Sequence, residues 1–305
     1  MHFVRTLKPG HLELLLKIHE VGQLQIAATV LNMTQPAASR ILSEIERRCG
    51  TPLFKRTPKG MEATPSGEVF IKHARIVLAG LDNLEKEIIA LATGVAGEVR
   101  IGAVTGPAIG VLVPAMEALR ARAPNISVTI DVAPSVDLVR GLDEGRFDFV
   151  MARVPPSHDS RDLHVHPARN EQVRLLVNET HPLLARSDVS LEELSQYPWI
   201  MQERGSPIRE AVETSFYSAG LPPPARVVNS SSLLIALALL KGSDMIAPLS
   251  EEVGGLMTSE GLGAKLRVIE TADLMFVSPY FIIRDRTRAL TPAAKLFYEQ
   301  MLAEI

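Results

Sequence analysis

The chain has 305 residues, 46% hydrophobic and 22% charged, enough for about two domains with substantial cores. A single cysteine, Cys49, excludes a disulfide framework and a cysteine-based zinc site. The longest apolar run, Leu233–Leu240, falls far short of the roughly 20 residues of a membrane span, and the opening Met1-His2-Phe3-Val4-Arg5 lacks a signal-peptide core, so a cytoplasmic protein is expected.

The net charge of −3 is unevenly spread. Residues 1–60 hold nine Lys/Arg against four Glu, while the remainder holds 23 basic against 31 acidic residues. A basic head on an acidic body suggests that the head meets a polyanion.

Residues 1–91 read as almost wholly helical. Leu12, Leu15, Leu16 and His19 follow helical spacing from Pro9 to a stop at Gly22, and a short second helix over 25–32 presents Ile26, Ala27, Val30 and Leu31. A third opens at the capping hydroxyl of Thr34, with Pro36 in the first turn where its missing N–H is harmless, and runs through Ile41, Leu42 and Ile45 to Gly50. The stretch 51–64, broken by Pro52, Pro58 and Gly60 and tipped by Lys55, Arg56 and Lys59, is expected to be a turn or small hairpin. Thr64 then caps a long helix with Pro65 at its first position. In it Phe70, Ala74, Val77, Leu81, Leu84, Ile88 and Leu91 alternate steps of 4 and 3. This is a heptad seam over three repeats, and it calls for a second copy of itself. Thr93, Gly94 and Gly97 form the linker.

From residue 98 on, short apolar strands alternate with amphipathic helices, as in an α/β fold. Strands are expected at 99–104, 128–133, 147–152, 173–177, 198–201, 226–229, 244–247 and 276–283. Helices are expected at 107–122, 136–144, 190–195, 207–219, 231–241, 249–259 and 292–304.

The second and third helices meet across a tight turn, with Ala27 and Ala28 small enough for close packing and Thr34, Gln35, Ser39 and Arg40 at the start of the third. That is the physical recipe of a helix-turn-helix whose second helix lies in the major groove. Gln can pair with adenine, Arg with guanine or phosphate, and the N–H groups at the helix start with phosphate. Arg56 and Lys59 read as phosphate contacts rather than base readers.

Ala27-Ala28, Leu31, Thr34-Gln35-Pro36-Ala37, Ser39, Ile41 and Ile45-Glu46, followed by Gly50, Pro52-Leu53-Phe54, Arg56 and Thr64-Pro65-Ser66-Gly67, resemble the N-terminal signature of LysR-type transcriptional regulators. Gln23 departs from it where a capping Ser is usual, and Ala38 where a larger aliphatic is common. The stretches 12–18, 33–46 and 104–107 are most similar to the galactose-binding-protein regulator subgroup. The resemblance implies a winged helix-turn-helix over 1–64, with Thr34, Gln35, Pro36, Ser39, Arg40, Arg56 and Lys59 at the DNA. It implies a dimerisation helix over 65–92 and a two-lobed, periplasmic-binding-protein-like α/β effector domain over 93–305, with lobe I at 94–164 and 268–305 and lobe II at 165–267. It further implies a homotetramer built as a dimer of dimers, and as partners double-stranded DNA, RNA polymerase and a small-molecule effector: a sugar, a sugar acid or another small carboxylate.

Ligands of α/β folds bind at the carboxyl ends of strands, beside helix N-termini. Polar residues stand at five such junctions: Thr105-Gly106, Pro134-Ser135, Ala152-Arg153, the run from Gln202 through Arg204 to Ser206, and Asn229-Ser230-Ser231. Carried over from the family by position, Thr105, Ser135, Arg153, Gln202 and Ser231 line the effector cleft, with Gly106, Arg204 and Ser230 beside them. Ser135, Ser206 and Ser231 also read as ordinary N-caps.

Enzyme motifs are absent: there is no G-x-S-x-G elbow, no G-x-G-x-x-G and no P-loop lysine, so neither catalytic residues nor a cofactor are expected. The series Gly97, Gly102, Gly106, Gly110 reads as a strand and a helix start. His158, Asp159, His164 and His166 form the only metal-like cluster and read as a polar connection between lobes, and Cys49 reads as a small buried residue. The competing class is a small-molecule-binding protein or enzyme whose N-terminal helices serve only assembly. A second rival is a nucleoid-type DNA binder without an effector.

Overall fold

A computed structural model of the chain describes residues 6–58, 60–93, 97–259, 261, 265–271 and 274–305, with backbone alone at 86, 87 and 90–93. The head consists of α1 (Pro9–Val21), α2 (Leu24–Val30), α3 (Gln35–Cys49) and an antiparallel hairpin of β1 (Phe54–Thr57) and β2 (Gly60–Ala63); it leads into α4 (Pro65–Thr93). Left-handed Gly22 and Gly50 end α1 and α3, and Asn32, at φ 54°, makes the turn between α2 and α3. The buried face of α1 is Leu12, Leu14, Leu15 and Ile18, one position round from the expected stripe. His19 and Leu16 are left half-buried, because Leu14 and Ile18 lie four apart on the side that Ala27, Ala28, Ala38 and Leu42 cover.

The hairpin docks on the end of α1. The Met61 N–H donates to the Gly22 carbonyl at 2.7 Å, and a Cβ on Gly60, at φ 132°, would overlap that same oxygen. Gly60→Ala is therefore expected to destabilise the head by about 1–3 kcal/mol, read as a lower denaturation midpoint, since it joins a forbidden backbone region to a backbone clash.

The second half runs β3 (Gly97–Ala103), α5 (Thr105–Pro107), a π-helical turn at Ala108–Leu112, α6 (Val113–Arg122), β4 (Ile126–Val132), α7 (Ser135–Asp143), β5 (Phe149–Ala152) and β6 (Leu163–Pro167). It continues through β7 (Glu171–Asn178), α8 (Leu191–Ser195), β8 (Trp199–Met201), α9 (Pro207–Ser218), β9 (Val227–Asn229), α10 (Leu233–Leu240), β10 (Ala247–Ser250) and α11 (Glu251–Thr258). It closes with β11 (Leu266–Ile269), β12 (Met275–Val277), β13 (Phe281–Asp285) and α12 (Pro292–Ala303).

Lobe I is the sheet β4-β3-β5-β13-β6, parallel through its first three strands, with α6 and α12 packed on Val99, Ile101, Phe149 and Ile282 on one face and α7 on the other. In lobe II, β10, β11 and β12 pair with β7, and β8 pairs with β9 in parallel around a core with Trp199 and Phe216.

This pairing corrects the expected lobe limits. Residues 163–167 pair with β13 in lobe I, whereas Leu266–Ile269 and Met275–Val277 pair with β7 in lobe II, so the chain crosses near 168–170 and 278–280. The single strand expected at 276–283 is two strands in different lobes, split at Ser278-Pro279, where proline cannot donate to a ladder. The strand expected at 244–247 begins its ladder only at Ala247; Ile246 forms an isolated bridge to Trp199.

Candidate nucleic-acid interface and effector cleft

Thr34 Oγ1 accepts the Ala37 N–H at 3.4 Å and starts α3, as its cap chemistry requires. Buried Ala38, Leu42 and Ile45 fix the inner face of that helix. Thr34, Gln35, Pro36 and Arg40 are thereby exposed and Ser39 half-buried at its start. Among the described residues Arg40 makes no ion pair. Arg47 and Arg48, by contrast, both bond Glu44, and the two guanidiniums, Arg47 first, hold the Glu44 carboxyl below its usual range. On α3, then, Arg40 is the arginine without a carboxylate partner among the described residues. On the hairpin, Lys55 pairs with Glu62 at 3.1 Å, and Arg56 is exposed without an ion pair among the described residues; Lys59 lies outside them.

Glu46 supplies a contact that sequence reading did not assign. Its Oε1 accepts the N–H groups of Leu53 and Phe54 at 2.8 and 3.1 Å, so α3 anchors the hairpin. Thr64 Oγ1 bonds the Pro52 carbonyl at 2.8 Å and accepts from Gly67, so α4 is tied to the same loop.

The expected seam of α4 divides in two. Phe70 packs on the head and Ala74 is buried, whereas Val77, Leu81, Leu84 and Ile88 are 41–57% exposed. The side chain of Leu91 lies outside the described residues. An ion pair between Lys72 and Asp162 joins α4 to lobe I.

The expected cleft residues fall into two clusters. In lobe I, Thr105 is exposed at the end of β3, Gly106 is buried behind it, and Ser135 Oγ accepts the Arg153 N–H at 3.1 Å. In lobe II, Arg209 donates to the Gln202 carbonyl at 3.1 Å and to Asn229 Oδ1 at 2.7 Å, drawing the ends of β8 and β9 together. Gln202 is half-buried, Arg204 is exposed, and Ser230 Oγ accepts the Ser232 N–H. Ser206 caps α9, but the cap of α10 is Ser232, so Ser231 is left exposed.

Arg153 requires a correction. Its guanidinium, expected to line the effector cleft, already bonds the Glu171 carboxylate through Nη2 and the Ser278 carbonyl through Nε at 2.8 Å. Both side chains of this ion pair are largely buried, Glu171 at 4% exposure, and the bond crosses from the residue after β5 in one lobe to β7 in the other.

The metal-like cluster is dispersed: His158 faces Asp143 at 3.7 Å, Asp159 bonds Arg161, and His164 and His166 lie on β6. Among the described residues no three His, Cys, Asp or Glu side chains converge to hold a metal ion, and no helix is long and apolar enough to cross a membrane. Cys49 is half-buried at the end of α3, and burial pushes its thiol pKa up.

Residues 9–68 match the family described as bacterial regulatory helix-turn-helix protein, lysR family, and residues 92–305 match the LysR substrate binding domain. The chain belongs to the LysR family. The HTH-type transcriptional regulator GbpR of Rhizobium radiobacter is 36% identical, over 82% of this chain and 84% of that protein. GbpR of Azospirillum brasilense is 31% identical, over 95% and 84%. These two matches support the galactose-binding-protein regulator subgroup that the sequence resembled. Full-length CbnR in complex with its target DNA shares the fold, with a TM-score of 0.59 at 20% identity over 98% of this chain and 100% of that one. The protein is a LysR-type DNA-binding transcriptional regulator with an effector-binding domain.

Within this LysR-family chain, sequence reading missed the polar residues where the lobes meet. Glu171 and Ser250 are buried beside Gly106, and Ser250 Oγ, Glu252 Oε2 and Tyr280 OH are buried without a hydrogen-bond partner among the described residues. Burial, reinforced by the Glu252 carboxylate, pushes the Tyr280 phenol up to about 12. Locally, Ser250-Glu251-Glu252 reads as an ordinary helix start with acid in its first turn, which is why nothing in the sequence marked it.

Proposed function

We propose that this regulator responds to a sugar or sugar acid and controls uptake or catabolism of such a compound. Thr34, Gln35, Pro36, Ser39 and Arg40 face the major groove, while Arg56 and Lys59 hold phosphates. The observation that carries the DNA assignment is Arg40, exposed near the start of a capped helix and without an ion pair among the described residues. That the CbnR structure contains target DNA supports the same geometry here. The head ends at residue 64 and the linker helix at 92. Two copies pair through α4, two dimers make the working tetramer, and the assembly acts on RNA polymerase in the cytoplasm as a regulator rather than an enzyme.

The effector enters between the lobes, where Thr105, Ser135, Gln202, Ser230 and Ser231 offer hydroxyl and amide groups suited to sugar hydroxyls, with Gly106 at the floor. With Arg153 committed to Glu171, the guanidinium left for a carboxylate is Arg204, exposed and without an ion pair among the described residues. The test is the melting temperature of the full-length protein against a panel of neutral hexoses, aldonic acids and hexose phosphates. A ligand at 100 times its dissociation constant adds about 2.7 kcal/mol to the folded state. At least one class is expected to raise the melting temperature, and Thr105→Val to abolish the rise. A panel without any shift discards the sugar reading, and an unchanged shift in Thr105→Val removes Thr105 from the cleft.

A further inference from the structure

Lobe I touches lobe II along the helical run 105–112. Gly106 is buried there, and a Cβ on it would overlap Glu171 Oε1 and come within 2.6 Å of Ser250 Oγ. One turn further, a Cβ on Gly110 would lie 2.5 Å from Glu252 Cγ. Both glycines belong to lobe I, and all three residues they accommodate belong to lobe II. Glycine is used here for the room it leaves, not for a special backbone angle. Gly110 lies within a π-helical turn, Ala108–Leu112, and Ile109 packs on the lobe II core formed by Leu176, Leu240 and Val253. Single π turns inside α-helices are rare and occur often at functional sites.

Two further features bear on how firmly this contact holds. Arg153 reinforces it, reaching over the hinge to Glu171 and to the carbonyl of Ser278 on the second crossing. Against it, the docked arrangement buries Ser250 Oγ, Glu252 Oε2 and Tyr280 OH without hydrogen bonds among the described residues. Buried polar groups without partners are disfavoured, and parting the lobes hydrates all three. Close steric fit and an ion pair favour docking while unsatisfied polar atoms favour parting, a balance suited to an element with two arrangements.

We propose that Gly106 and Gly110, seated against Glu171, Ser250 and Glu252, form the latch that sets the angle between the lobes, with Arg153 and Glu171 as positioning residues for effector binding. The role in effector binding rests on the cleft being the effector site; the latch itself does not. An effector that prefers one lobe angle then shifts the balance.

The test uses full-length protein without ligand or DNA, in a Cys49→Ser background, spin-labelled at Glu117→Cys on α6 and Glu210→Cys on α9, both exposed. The labelled protein is mixed with excess unlabelled protein, and pulsed dipolar spectroscopy reads the distance between the two labels of one chain. Gly110→Ala is expected to move the whole distance distribution to a new mean. Adding Glu252→Ala, which removes the Cγ that the new methyl meets, is expected to return it to the parent position. Glu171→Gln adds no bulk and is expected to broaden the distribution, which covers the case in which Gly110→Ala does not fold. An unmoved distribution in Gly110→Ala, a shift that persists after Glu252→Ala, or an unbroadened Glu171→Gln overturns the latch. A ligand from the panel that stabilises parent and Gly110→Ala equally overturns its coupling to the effector and leaves the effector reading intact. A panel without any ligand overturns the effector reading and leaves these distances unaffected.

Discussion

Leu81→Glu combined with Leu84→Glu is expected to remove one level of assembly from the full-length protein and, with it, most of its operator affinity. The reason lies in α4. Over 29 residues it exposes Val77, Leu81, Leu84 and Ile88 in a narrow row at heptad spacing, 41–57% exposed in the single chain. A row of that kind on a long helix is stable in water when a second helix covers it. An unpaired carboxylate buried in such an interface costs several kcal/mol, and each 1.4 kcal/mol is tenfold in the dissociation constant, so four charges per dimer should weaken the pairing by at least roughly 10³-fold. Operator affinity follows, because linking two heads is worth on the order of 10²–10⁴ in avidity. Sedimentation at micromolar concentration reads the assembly and fluorescence anisotropy reads the DNA. Glu85→Lys, exposed and off the seam, should change neither the mass nor the fold. A double mutant that sediments like the parent would return α4 to a purely intramolecular role.

What the sequence revealed and what it hid divide by range. Thr34 and Thr64 as caps, Pro36 and Pro65 in first turns and Gly22 and Gly50 as left-handed stops are local chemistry, and each stands where its element begins or ends. The lobe limits are not legible in the sequence because they are decided by partners. Leu163-His164-Val165-His166 looks like a polar connection until β13 is laid beside it, and Met275–Val277 belongs to lobe II only because β7 is there. Arg153 looked available because the carboxylate that occupies it lies 18 residues on, across a crossing of the chain. Gly106 and Gly110 looked like helix-start glycines for the same reason: the side chains they make room for come from the other lobe. A single chain pattern carries caps and periods well, and carries almost nothing about which side chain fills which gap.

Arg40→Ala is expected to cost about 1–3 kcal/mol in binding a cognate operator fragment, the scale of a good bidentate base contact, with Gln35→Ala in the same range. Both residues are exposed at the start of α3, and Arg40 has no carboxylate to release among the described residues, so its removal disturbs no ion pair within the head. Arg56→Ala should act differently. As a phosphate contact on the hairpin it should weaken every duplex by a similar factor and flatten the dependence of affinity on salt by about one unit, because one fewer counterion is displaced. Arg47 and Arg48 provide the contrast on the same helix: both are held by Glu44, so Glu44→Ala, which frees two guanidiniums, should tighten binding to all duplexes and steepen the salt slope rather than sharpen specificity. Operator fragments are obtained by sequencing the genomic DNA that the purified protein retains. Anisotropy titrations at several salt concentrations, on cognate and scrambled duplexes, separate the two kinds of contact. If Arg40→Ala binds the cognate duplex as the parent does, with the salt slope unchanged, then the start of α3 is not the recognition surface and the basic residues of the hairpin must carry the binding alone.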